Sequence, residues 1–348
     1  MTAMNAQAYT AGTMEPPRHH LLLLAALLLT ALTACGTPRS AVRIESATRT
    51  AMPAAAAKPT DPPSPRPSAP PGTTKPVPPS PAPTPSTPTV PPPPAASPTT
   101  SDDPALLAAI WEALDGDLEH TSVVVRRLHD GRGVSVNAER EYYAASLFKL
   151  ALLYEAERQR SLGLLDFEDL VQVQDEDIAE DLGTAGLLAI DENGMIPVHT
   201  AVQAMVTRSD NTSAVLMLRR LGPATVDQTL AALGLRHTSV NTRELPTTAA
   251  DMALLMEAIV RGQGVSTAQR AQMRDLLLRQ ETRWGIPQPL PAGVATGNKT
   301  GTWPNATHDV AFVDAPGGLY VIAILSDRGW DWDPIARVSR AVYNVLAG

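Results

Sequence analysis

The chain has 348 residues, 44% of them hydrophobic, one cysteine and a formal charge of -8. This acidic balance argues against nucleic acid as a partner, whose recognition needs a basic footprint. A single cysteine excludes an internal disulfide, so the fold must stand on its core alone.

Residues 1–35 read as an export signal. Arg18, His19 and His20 precede an apolar run over 21–32, which is too short to span a bilayer comfortably. The run ends in Leu32-Thr33-Ala34-Cys35, followed by Gly36. This resembles a bacterial lipobox and implies cleavage before Cys35 and lipidation of its thiol; the alternative is a free cysteine in a plain secreted protein. Several acyl chains on one residue would hold the chain stably on a membrane. The expectation is an exported, membrane-anchored lipoprotein facing the cell wall or periplasm.

Residues 36–101 have no hydrophobic period, and 20 of the 33 prolines lie between Pro53 and Pro98. Such a segment cannot bury enough apolar surface to fold and favours extended polyproline II. At about 3.1 Å per residue, the tether has a contour on the order of 200 Å. It carries a net +4, which leaves -12 on the remainder because residues 1–35 balance.

A folded domain is expected over 102–348. Asp102-Asp103-Pro104 predicts a helix start, and the helix runs to about Leu114. Residues 121–128 read as a strand, joined through Asp130-Gly131-Arg132-Gly133 to Val134-Ser135-Val136 as a hairpin. A helix opening at Ser146 follows, and then helices over 197–206, 212–221, 224–233, 249–260 and 267–278. Strands return at 292–303, 309–313 and 319–325, the last two joined by Ala315-Pro316-Gly317-Gly318, and a helix over 333–346 closes the chain. Neighbouring strands joined by short turns imply an antiparallel sheet rather than a βαβ pattern.

Three motifs carry the chemistry. Tyr143-Ala144-Ala145-Ser146-Leu147-Phe148-Lys149 places an amine three residues after a hydroxyl, one helical turn on. A helix N-terminus also favours an anion forming at Ser146. Ser209-Asp210-Asn211 stands between two predicted helices, and Lys299-Thr300-Gly301-Thr302 lies in the first late strand. Each specific tripeptide has on the order of a one-in-fifty chance of occurring in such a domain, so their joint presence in this order is not coincidence.

Together the three motifs resemble the signature of class A β-lactamases and penicillin-recognising serine hydrolases. The resemblance covers roughly residues 102–348. It implies an α+β fold, an antiparallel sheet flanked by helices with an all-helical lobe. It assigns Ser146 as nucleophile and Lys149 as its base. Ser209 would relay a proton and Asn211 would bind the substrate amide. Lys299 and Thr300 would bind the substrate carboxylate, with Gly301 beside them. The backbone N–H groups of Ser146 and Thr302 would form the oxyanion hole.

A second base is harder to place. Glu244 lies at about the family's spacing from Gly234, but Leu245-Pro246-Thr247-Thr248 follows where the family has Glu-x-x-Leu-Asn, and about a dozen loop residues are missing. Glu244 is either the deacylating base or a surface residue. No cofactor is expected. No metal site is expected either: the seven histidines form no His-Glu-x-x-His motif. His308 near the third motif reads as structural.

The expected activity is acylation of Ser146 by β-lactams and hydrolysis of the β-lactam amide by a monomer. The alternatives are a D-Ala-D-Ala peptidase or slow-releasing penicillin binder acting on the peptidoglycan stem peptide, and a non-catalytic wall-binding lipoprotein.

Overall fold

The computed structural model describes residues 102–179 and 188–347. The export signal, Cys35 and the proline-rich tether lie outside the described residues. Helix α1 (Pro104–Ala113) starts where its cap predicts: the Asp103 carboxylate accepts from the backbone N–H of Ala105 at 2.8 Å and of Leu106 at 3.1 Å. Pro104 takes the first turn, where a missing N–H costs nothing. Strands β1 (Thr121–Arg127) and β2 (Gly133–Val136) form the expected hairpin. After β3 (Tyr142–Tyr143), one 3-10 turn over Ala145–Leu147 leads into α2 (Phe148–Ser161).

The helical part contains β4 (Leu170–Gln172), α3 (Asp175–Ala179), β5 (Met195–Pro197), α4 (Val198–Thr207), α5 (Asn211–Leu221) and α6 (Pro223–Leu233). Next come β6 (Pro246–Thr247), α7 (Ala249–Arg261) and α8 (Thr267–Leu278). The chain then returns to the sheet with β7 (Ala295–Trp303), β8 (Ala306–Ala315) and β9 (Gly318–Ser326), and α9 (Asp333–Ala347) follows.

The main sheet has the order β2-β1-β9-β8-β7 with every pairing antiparallel. Both of its faces are buried, and the period of two sorts the side chains between them. Val125, Tyr320, Ile322, Ile324 and Val313 face α1 and α9, packing against Ile110, Val338 and Val342. Val124, Val321, Ala323, Val310 and Phe312 face the helical lobe. That double burial is why β9 reads as an unbroken apolar run, Tyr320 to Leu325, rather than an alternation.

Helix α2 threads the larger core. Leu150 through Tyr154 and Ala156 are all buried, so it is apolar round most of its circumference, as a central helix must be. Each such leucine removed from water contributes about 2 kcal/mol. The core therefore fixes α2 rigidly, and α2 carries Lys149.

Three expectations shift. The helix expected to open at Ser146 begins two residues later, at Phe148, because the 3-10 turn intervenes. Strand β7 starts three residues later than expected, at Ala295, and β8 three residues earlier, at Ala306. The ribbons β3–β6 and β4–β5 were not expected. Strands of two or three residues carry too few positions to show a period.

Candidate active site

Ser146 sits in the 3-10 turn, preceded by Ala145 at φ +45°. A left-handed alanine is uncommon and costs about 1 kcal/mol. The turn is held from two sides: Ala144 N–H donates to the Leu245 carbonyl at 2.8 Å, and strand β7 runs directly against it. A Cβ on Gly301 would lie 2.9 Å from the Ala144 carbonyl oxygen and 3.3 Å from the Leu147 nitrogen. The glycine of Lys-Thr-Gly is thus explained by close approach, since no side chain fits between strand and turn.

Lys149 is fully buried in the first turn of α2. Its Nζ lies 3.1 Å from Ser146 Oγ, 2.6 Å from the Ser209 carbonyl oxygen, 2.6 Å from Asn211 Oδ1 and 3.2 Å from Ser209 Oγ. Burial pulls the amine down to about 7, against the Asp210 carboxylate nearby, which favours the charged form. A neutral amine has two N–H groups and one lone pair. The two carbonyl oxygens at 2.6 Å take the N–H groups, which leaves the lone pair for the Ser146 hydroxyl.

Ser209 and Asn211 reach the site through the start of α5. The Asp210 carboxylate caps that helix, accepting from Ser213 N–H at 2.6 Å. Ser209 itself sits at φ +59°, which turns its carbonyl oxygen onto Lys149. Asp210, not Ser209, caps that helix, which leaves the Ser209 hydroxyl for the site.

Lys299 is fully buried in β7 and donates to Ser209 Oγ at 3.0 Å and to the Thr300 carbonyl at 2.8 Å. Burial and the neighbouring Lys149 hold its amine well below the ordinary lysine range, and Asp309 opposes them. The Ser209 hydroxyl therefore lies within hydrogen-bond reach of both amines. Asp309 on β8 is paired across the strands from Thr300. Its carboxylate accepts from Asn298 Nδ2 at 2.9 Å and from Ile286 N–H at 2.8 Å, and burial pushes its carboxyl up to about 7.

Ser146, Asn211 and Thr302 line a cleft of about 460 Å³, together with Tyr143, Trp303, Val240, Arg243 and Leu245. Lys149, Lys299 and Thr300 are buried behind that lining. A larger cavity of about 600 Å³, bordered by α1 and α9, holds none of the motif residues. Glu244 is exposed on the loop after α6; its neighbours Arg243 and Leu245 line the cleft, and Glu244 does not.

His308 is structural, as the sequence suggests. Its Nε2 bonds the Tyr143 carbonyl at 3.0 Å while its Nδ1 accepts from Ser326 N–H at 3.2 Å. Burial pulls the imidazole down to about 4, so it stays neutral and holds β3 beside the nucleophile turn. The pairing of Asn298 with Asp309 and the place of Arg243 were not foreseen. A polar pair spaced across a strand hairpin, or a lone loop arginine, has no sequence period to announce it.

The sequence profile of the β-lactamase enzyme family matches residues 106–346. The chain is 30% identical over 228 residues to β-lactamase FAR-1 of Nocardia farcinica (strain IFM 10152), covering 61% of this chain and 71% of that one. Among solved structures it is similar to an acyl-enzyme complex of a PBP-A mutant with penicillin-G, at 25% identity and a TM-score of 0.64, covering 69% of this chain and 95% of that one. It is also similar to the ancestral (GNCA) class A β-lactamase, at 26% identity and a TM-score of 0.63, covering 69% and 99%. With the buried lysine on its serine, the match over most of the chain makes this protein a serine hydrolase belonging to the β-lactamase enzyme family.

Proposed function

We propose that the cleft hydrolyses β-lactams through an acyl-enzyme on Ser146, with release of the acyl group as the slow step. The observation that carries the first half is Lys149, an amine near 7 whose Nζ is 3.1 Å from Ser146 Oγ. In its neutral form it takes the hydroxyl proton as Oγ bonds to the β-lactam carbonyl carbon. The backbone N–H groups of Ser146 and Thr302, on the turn and on the edge strand, receive the developing oxyanion. As the ring C–N bond breaks, the Ser209 hydroxyl passes a proton to the leaving nitrogen and is resupplied from the adjacent amines. Lys299 and Thr300 hold the carboxylate on the leaving side.

Release needs water attacking the ester, with a base within hydrogen-bond reach. Among the described residues no carboxylate lines the cleft. That favours slow release, and it equally suits a penicillin-binding enzyme whose natural substrate is the D-Ala-D-Ala stem peptide. The sequence further supports an exported lipoprotein anchored through Cys35, with residues 36–101 as a spacer giving reach into the wall. The test is turnover of a chromogenic cephalosporin by wild type and Ser146→Ala. Turnover abolished in the variant supports the reading, and equal turnover overturns it.

A further inference from the structure

The described lining of the cleft carries one charged side chain, the Arg243 guanidinium. Around it stand Tyr143, Ser146, Asn211, Thr242 and Trp303, none of them charged. Six arginines outside the cleft lining, Arg126, Arg127, Arg158, Arg219, Arg261 and Arg337, each bond a carboxylate. Among the described residues no carboxylate bonds Arg243, although acidic groups outnumber basic ones over this part of the chain. Its side chain is exposed.

The loop that presents it is pinned to the nucleophile. Ala144 N–H donates to the Leu245 carbonyl at 2.8 Å, so Arg243 lies two residues from a bond made two residues before Ser146. A substrate on Ser146 has two halves. The leaving nitrogen must face Ser209, which bonds Lys299 at 3.0 Å. The acyl half, which stays on the serine, then extends away from Lys299 into the cleft, whose lining includes Val240, Thr242, Arg243 and Leu245.

We propose that Arg243 is a second anion subsite, selecting substrates that carry a carboxylate on the acyl half as well as the one on the leaving half. This rests on the acyl-enzyme reading above and names the substrate class that the same cleft prefers. A guanidinium matches a carboxylate in two parallel N–H···O bonds, which a lysine at the same place would not reproduce. The same loop that fails to bring Glu244 to the cleft brings a cation instead.

Benzylpenicillin and carboxybenzylpenicillin test this directly, because they differ by one carboxylate on the acyl side. The readout is the second-order rate of Ser146 acylation, followed by intact mass, for both penicillins on wild type and on Arg243→Ala. Taking the rate ratio of the two penicillins within each protein cancels their intrinsic reactivity. The ratio should favour the carboxylated compound about fivefold more in wild type than in the variant, the size of a favourable exposed ion pair. The difference should shrink in about 1 M salt, where charges are screened beyond about 3 Å. Arg243→Gln keeps a polar side chain without the charge and should lose the preference as fully as alanine does. Equal ratios in all three proteins overturn the subsite while leaving acylation intact. No adduct from either penicillin overturns the subsite and the acyl-enzyme reading together.

Discussion

Replacing Lys149 by methionine removes the amine while keeping the length of a side chain that is fully buried. If the neutral amine takes the Ser146 proton, the loss is that of a positioned general base, about 10²- to 10⁴-fold in acylation, or about 3–5 kcal/mol of barrier. The pH dependence separates this from mere misplacement of the serine. The amine stands near 7, and its neutral form is the active one, so acid protonates it and slows acylation. Between pH 7.5 and 5.5 the neutral fraction falls about 25-fold, and above pH 8 it is nearly constant. Stopped-flow acylation by a chromogenic cephalosporin should trace that curve in wild type. Lys149→Met should give a residual rate with no inflection near 7. A wild-type rate flat from pH 5.5 to 7.5, or an inflection that survives in the variant, refutes Lys149 as the base.

Gly301→Ala should lower the unfolding free energy by about 1–3 kcal/mol and slow acylation with it, because the new methyl meets the Ala144 carbonyl at 2.9 Å, which is backbone and cannot turn aside; urea midpoints and acylation rates check both. Glu244→Gln should leave acylation and release within about twofold, since surface changes away from a site are nearly neutral; a tenfold loss of release measured by adduct decay would restore Glu244 as the base. Glu157 is buried on α2 with neither carboxylate oxygen hydrogen-bonded, 3.6 Å from Arg160, and burial pushes it up to about 7. Its folded form binds more protons than the unfolded one between about pH 4.5 and 7, so its contribution to stability falls as pH rises through that window. Glu157→Gln should therefore stabilise by up to about 3 kcal/mol at pH 8 and by little at pH 4.5, read from urea midpoints at the two pH values.

The elements that sequence reasoning reached are those whose burial has a period. Asp103-Pro104 marked α1, Gly234 marked the end of α6, and the apolar stretch Tyr320 to Leu325 marked β9 because both faces of the sheet are covered. The site was legible as residue types, since Ser146, Lys149, Ser209, Asn211 and Lys299 converge as the three motifs imply. What the motifs could not give was how they meet. The left-handed Ala145 and Ser209, the 3-10 turn, and the contact that makes Gly301 obligatory all depend on residues distant in the chain. The loop after α6 was legible only as a shortening. That it turns Arg243 rather than Glu244 to the cleft is a matter of backbone direction over two residues.

The central claim is that Ser146 becomes acylated and lets go slowly. Intact-mass spectrometry of the wild-type chain and of Ser146→Ala, sampled over time after mixing with benzylpenicillin, measures both halves together. The account predicts a single one-to-one adduct in wild type that becomes the dominant species while penicillin remains and decays after it is consumed, with no adduct in the variant. Wild type and Ser146→Ala indistinguishable in mass and in penicillin consumption would contradict it.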